Sequence, residues 1–196
     1  MRQTPPLSFI LALPLVLLSL SSIGYAHNIT TILAKNSLFS TFNHYLTLTD
    51  LAYEINSHLN ITILAMDNDA MSFFLSKGLS LSTIKNVLSH HVLADYLGSK
   101  ELHQITNGNT LTATMFQASG SIPVSSRYVN IISKGGKVGF SMADNGGKLD
   151  AIYVKAVHEE PYNISVLHIS QVKFSWKPSN IKLPIMHGRN WSLQTA

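Results

Sequence analysis

Residues 161–170 read PYNISVLHIS, and how they are read decides the fold. The second half alternates as a strand with one buried face would, with Ile164, Val166 and Ile169 among Ser165, His168 and Ser170. The first half holds Asn163-Ile164-Ser165, an acceptor sequon for an N-linked glycan. A glycan stands in water and a core strand does not. Pro161-Tyr162 favours a turn. The expectation is therefore that Asn163 sits in a polar turn and that burial begins at Ile164 or Val166.

The sequon matters only in an exported chain, and the first residues supply that context. Met1 to Ala26 has the layout of a secretory signal peptide. Arg2 gives a positive start, and Leu7 to Leu20 is almost wholly apolar. That run is shorter than the about 20 residues a bilayer span needs. Gly24-Tyr25-Ala26 offers small residues at a cleavage site. A mature chain starting at His27 is expected, secreted to the cell surface or cell wall, with no transmembrane or lipid anchor. Its sequons are Asn28-Ile-Thr30, Asn60-Ile-Thr62, Asn163-Ile-Ser165 and Asn190-Trp-Ser192. All four are candidate glycan sites.

The 196 residues contain no cysteine. Thiolate catalysis, cysteine-based zinc sites and disulfides are excluded, so a single domain must hold itself together by its core. Charged residues make up 12% of the chain and the formal net charge is +4. The lysines are scattered in sequence, and no run resembles a nucleic-acid arm. Nucleic acid is not an expected partner.

Along the chain, apolar residues first recur with helical period: Ile29, Ile32, Leu33; then Leu38, Phe39, Phe42, Leu46; then Leu48, Leu51, Ala52, Ile55. Breaks are expected near Asn36 and Thr47. Asn60 to Met66 reads as a buried strand, and Asp67-Asn68-Asp69 supplies helix caps behind it. Further strands are expected at 91–96, 100–105, 111–116, 128–133, 137–141, 151–157 and 165–172. Gly135-Gly136 marks a tight hairpin. Helices first and strands after give an α+β domain with a mostly antiparallel sheet system. Residues 174–196 lack a period and are expected to form a flexible tail after a domain spanning 27–173.

Signs of catalysis are weak. Asp67 and Asp69 at i, i+2 diverge on a helix and serve better as caps. Of nine histidines only His90 and His91 are adjacent, and no metal-binding spacing appears. GxSxG and phosphate-loop motifs are absent. A non-enzyme is expected, with no cofactor and no metal.

Four stretches resemble a fasciclin domain, especially that of the plant fasciclin-like arabinogalactan proteins. They are Asn28-Ile-Thr-Thr-Ile-Leu33; Ile61-Thr-Ile-Leu-Ala-Met-Asp-Asn-Asp-Ala-Met71; Val87-Leu-Ser-His-His-Val-Leu93; and the set Val129-Asn-Ile-Ile132, Gly135-Gly-Lys-Val-Gly-Phe140 and Pro161 to Ser170. The resemblance implies a wedge-shaped β-sandwich with helices packed along one side. It also implies a non-catalytic module for adhesion or matrix organisation, binding cell-wall polysaccharide, a matrix glycoprotein or its own copies. Met66 and His90 depart from the family's usual Pro and Tyr, and the Ala-Pro, Ser-Pro and Thr-Pro repeats that carry arabinogalactan are missing. Asp67, Asp69 and His91 are the candidate adhesion surface. The competing reading is a secreted carbohydrate-binding or carbohydrate-active protein. A lectin-like face would need exposed aromatics, with Tyr96, Phe116, Tyr128 and Trp176 as candidates.

Overall fold

The computed structural model describes residues 27–105, 108–116, 124–143 and 148–170. The expected signal peptide, the tail and Asn190 lie outside the described residues.

Three short helices open the domain: α1 (Ile29–Ala34), α2 (Ser40–Leu48) and α3 (Leu51–Asn56). Asn28 caps α1, its side chain accepting from Thr31 N. Asn36 makes the first expected break, accepting from Leu38 N at the start of a 3-10 turn over Ser37–Phe39. The second break falls at Asp50, whose φ of 60° lies in the left-handed region. Each helix turns an apolar face inward, with Ile29, Leu33, Phe39, Phe42, Leu46, Leu51 and Ile55 fully buried, while Leu38 and Leu48, also expected on those faces, are exposed.

β1 (Ile61–Met66) follows, then α4 (Asn68–Leu75), α5 (Leu81–His90) and a two-residue β2 (Val92–Leu93). A strand was expected over 91–96, but only Val92 and Leu93 pair. After them Thr62 Oγ1 donates to Asp95 O and accepts from Leu97 N, turning the chain away from the sheet. The strand expected over 100–105 is a helix, α6 (Ser99–Gln104). Glu101 Oε2 accepts from Gly98 N at 2.9 Å, closing the first turn, and Leu102 is the buried residue. One inward side chain suits a short capped helix better than a half-buried strand.

The remaining strands are β3 (Asn109–Ala113), β4 (Tyr128–Lys134), β5 (Lys137–Met142), β6 (Ala151–Glu160) and β7 (Ile164–Ile169). β4 and β5 form the expected hairpin, with Gly135 at φ 59° and Gly136 at φ 74°. Two consecutive left-handed positions are what a two-residue hairpin loop demands, and glycine takes them without steric cost. The strand order is β2-β1-β7-β6-β5-β4-β3. β6 passes between two sheets: Ala151 and Ile152 pair with β5, and Tyr153 onward with β7. At the other side Met115 N donates to Val92 O and Ala94 N to Ala113 O, joining the segment after β3 to β2. The result is a nearly closed β-sandwich with helices against it, the α+β architecture expected.

The sheet departs from the expected antiparallel system at its centre. β1 and β7 run parallel, from Ile61↔Ile164 to Met66↔Ile169. Both are buried along their whole length. Parallel strands covered on both faces bury every residue rather than alternate ones. Ser165 at 0% and His168 at 8% exposure therefore lie in the interior, although the sequence alternation put them on an outer face.

Candidate functional site

The far end of the β1–β7 pair carries the residues singled out for adhesion. Asp67 leaves β1 in an extended conformation, with φ −72° and ψ 172°, and caps α4. Its Oδ1 accepts from Ala70 N at 2.8 Å, and its Oδ2 lies 3.1 Å from His168 Nε2. Both carboxylate oxygens are thus engaged inside the fold. The His168 ring also meets Phe39 edge to face at 5.2 Å. Asp69 lies in the first turn of α4 and is exposed. Between them Asn68, expected only as a helix cap, ties α4 to the opening helices. Its Oδ1 accepts from Thr41 N at 3.0 Å and its Nδ2 donates to Ser37 O at 2.9 Å.

His91 does not belong to a surface. It is 1% exposed, and its Nδ1 donates to Val87 O at 2.8 Å, one turn back along α5. Burial pushes its pKa down to about 4. Its neighbour His90 is 3% exposed, lies 4.0 Å from the Phe116 ring, and has no hydrogen-bond partner on either ring nitrogen among the described residues. Burial, and then the charge of His91, pushes the His90 pKa down to about 3. The two imidazoles are neutral core groups. Of the candidate adhesion trio, Asp69 alone presents an uncommitted side chain to water.

The sequons gather at the opposite end. Asn28 is exposed, with Oδ1 accepting from Thr30 Oγ1 at 2.7 Å and from Thr31 N at 3.1 Å. Asn60 is exposed just before β1, with φ 56°. Asn163 stands beside it, since Ile61 N donates to Asn163 O at 3.2 Å. The turn expected ahead of β7 is present, closed by Asn163 N donating to Glu160 O at 3.0 Å. The asparagine side chain nevertheless does not stand in water. Asn163 is 8% exposed, and its Oδ1 lies 2.8 Å from Nδ1 of His27, whose Nε2 donates to Ile55 O at 3.2 Å. The sequon expected to stand in water thus has its asparagine side chain nearly enclosed by the fold, with Oδ1 against the His27 ring.

The exposed Tyr162 and the half-buried Tyr96 form an aromatic pair that the sequence only half reveals. Tyr162 is 81% exposed at φ 60°, in the turn position that glycine or asparagine usually takes. Its ring lies 6.1 Å from that of Tyr96. The Tyr96 hydroxyl has a raised pKa, first through burial and then through Glu159 and Glu101. Phe116 is buried, and Tyr128 is half-buried as Tyr96 is. Trp176 lies outside the described residues.

The family model described as Fasciclin domain matches residues 37–139. The chain belongs to the fasciclin domain family. Fasciclin-like arabinogalactan protein 2 of Arabidopsis thaliana is 62% identical over 152 residues, covering 77% of this chain and 38% of that protein. Fasciclin-like arabinogalactan protein 8 of the same plant is 48% identical over 161 residues, 82% of this chain and 38% of the relative. The chain thus spans 38% of the length of these two relatives. Among solved structures, a FAS1 domain pair from the insect cell adhesion molecule Fasciclin I aligns at 20% identity. Its TM-score is 0.49, over 70% of this fasciclin chain and 45% of that one. Among the described residues, no helix of this domain is long and apolar enough to cross a membrane.

Proposed function

We propose that this fasciclin domain is a secreted, N-glycosylated, non-catalytic module that organises cell wall or matrix by binding polysaccharide, matrix glycoprotein or its own copies. The observation that carries the reading is the 62% identity to a fasciclin-like arabinogalactan protein across 77% of the chain. The placement of the sequons supports it. Asn28 and Asn60 are exposed at one end of the domain, and roughly 20 Å of strand separates them from the Asp67–Asp69 end. Glycans at the first end leave the second free for contacts. Asp67 supports the non-catalytic part, because a carboxylate that caps a helix and faces a buried histidine is not poised across a cleft from a second one.

The test uses the full chain expressed in a eukaryotic secretory host. The protein is expected in the medium, with a mass that falls on enzymatic deglycosylation. Immobilised, it should retain at least one wall polysaccharide or its own copies. Retention of neither would overturn the adhesion reading, and a mass unchanged by deglycosylation would overturn the glycoprotein reading. The Tyr96–Tyr162 pair favours a second reading, a carbohydrate-binding protein that stacks neutral sugar on aromatic rings. In that case Tyr162→Ala abolishes retention.

A further inference from the structure

A groove on the flank of the domain, where Lys155 of β6 lies in register with His168 of β7, has chemistry of its own. β6 is irregular there. Its register against β7 shifts between Tyr153 and Lys155, and again between Ala156 and His158. Successive residues of a regular strand leave opposite faces of the sheet, so four in a row do not line one hollow. The two bulges break that rule, and Lys155, Ala156, Val157 and His158 all line a single cavity of about 220 Å³. Ile32, Lys35 and Asn36, from the end of α1, form the facing wall. Bulges of this kind re-aim side chains and cluster beside functional sites.

The wall is one-sided in charge. No carboxylate lines the groove, and its charged residues are Lys35 and Lys155. Neither lysine takes part in the salt bridges found among the described residues, whereas Lys85 is held by Glu54 at 2.7 Å. Asn36 uses its Oδ1 to accept from Leu38 N at 3.0 Å, which leaves its NH2 as donor. The half-buried His158 adds another ring donor. The floor is apolar, from Ile32, Ala156 and Val157. Donors and positive charge above an apolar floor suit a ligand with a carboxylate, hydroxyl oxygens and a C–H face. The hollow is smaller than the about 300–1,000 Å³ of drug-sized sites, so it takes one sugar unit rather than a length of chain.

We propose that this groove binds a uronate residue of an acidic polysaccharide, with Lys35 and Lys155 on the carboxylate and Ile32, Ala156 and Val157 against the ring. The proposal rests on the adhesion reading and names its ligand class. Lys35 and Lys155 lie 120 positions apart, which is why the sequence showed scattered lysines and no cluster.

The test measures binding of the full glycosylated chain to polygalacturonate, to its fully methyl-esterified form, and to a sulfated glucan of similar length. Wild type should bind polygalacturonate, less as salt rises, and bind the ester weakly, because esterification removes the charge and keeps the sugar. The double variant Lys35→Glu/Lys155→Glu should bind about tenfold more weakly or worse, as expected for loss of charge-assisted contacts. Lys155→Arg should retain binding. Both lysines are exposed, so the variants should melt as wild type does. If the double reversal disturbs folding, Lys35→Gln/Lys155→Gln takes its place. Unchanged binding in the charge variants, or equal binding to the ester or to the sulfated glucan, overturns the proposal. Binding to neutral polysaccharides or to its own copies without polygalacturonate refutes the groove and leaves the adhesion reading standing. Binding to none refutes both.

Discussion

The two ends of the β1–β7 pair are finished in different ways. At the starting end two sequon asparagines stand side by side on parallel strands, yet Asn60 is exposed while Asn163 is sealed against His27. Asp67 closes the finishing end by capping α4 with one oxygen and facing His168 with the other. The contrast teaches that a three-residue motif does not carry its own exposure. What decides it is the neighbour that the fold brings to the side chain, and for Asn163 that neighbour lies 136 positions away.

Four measurements bear on the contrast. The largest effect should come from the strand between the ends. Ile164→Ala removes a side chain buried to 0% where β7 enters the core, and should cost about 2–5 kcal/mol in chemical denaturation. A loss under about 1 kcal/mol would mean that the start of β7 is not packed as described.

Acid comes next. His90 and His91 have folded-state pKa values of about 3 and about 4, below their ordinary 6.5. The unfolded chain therefore binds more protons than the folded one as pH falls below 6.5. Stability that is fully present at pH 7 is lost progressively as the pH drops from 6.5 towards 4. Each unit of displacement carries about 1.4 kcal/mol, so pH 4.5 should cost on the order of 2–3 kcal/mol per histidine. The His90→Leu variant should lose less than wild type over the same interval. An equal loss would show that the finishing end owes its acid sensitivity to other groups.

His27→Ala tests the starting end. It removes the ring from between Asn163 and the Ile55 carbonyl and leaves buried polar atoms without that partner, at a cost of about 1–3 kcal/mol. Asn163→Ala should cost a similar amount, and the double variant should cost less than the two single losses combined. Strict additivity would mean that the clasp does not act as a unit. Asp67→Ala should have the smallest effect, about 0.5–2 kcal/mol for a lost helix cap, and Asp67→Asn should recover most of it. A failure of Asn to recover stability would shift the weight from the cap to the contact with His168.

Much of this architecture was legible from local chemistry. Gly135-Gly136 announced a hairpin because both positions need positive φ. Asp67 announced a helix start, and the run Ile61–Met66 a buried strand. What stayed hidden depends on residues far apart in the chain. The parallel pairing of β1 with β7 joins segments about a hundred positions apart. It buries Ser165 and His168, whose polarity had suggested an outer face. Helix α6 stands where the sequence suggests a strand, because Leu102 and Ile105 alone do not separate the two periods. Its first turn is held by Glu101 on Gly98 N and by Glu159, from β6, on Ser99 N. His91 enters the candidate surface through the resemblance alone, and the fold turns its ring inward onto Val87 O, a polar contact within the core. The groove between Lys35 and Lys155 needed the two bulges of β6, which no alternation pattern foretells.

The most direct measurement is site-by-site mapping of N-glycans on the folded, secreted protein, with deglycosylation in heavy-oxygen water to mark each occupied asparagine. Label at Asn28 and Asn60 with an unlabelled peptide at Asn163 is the expected outcome. A glycan on Asn163 in most of the folded molecules would contradict the sealed entry of β7 and the clasp with His27.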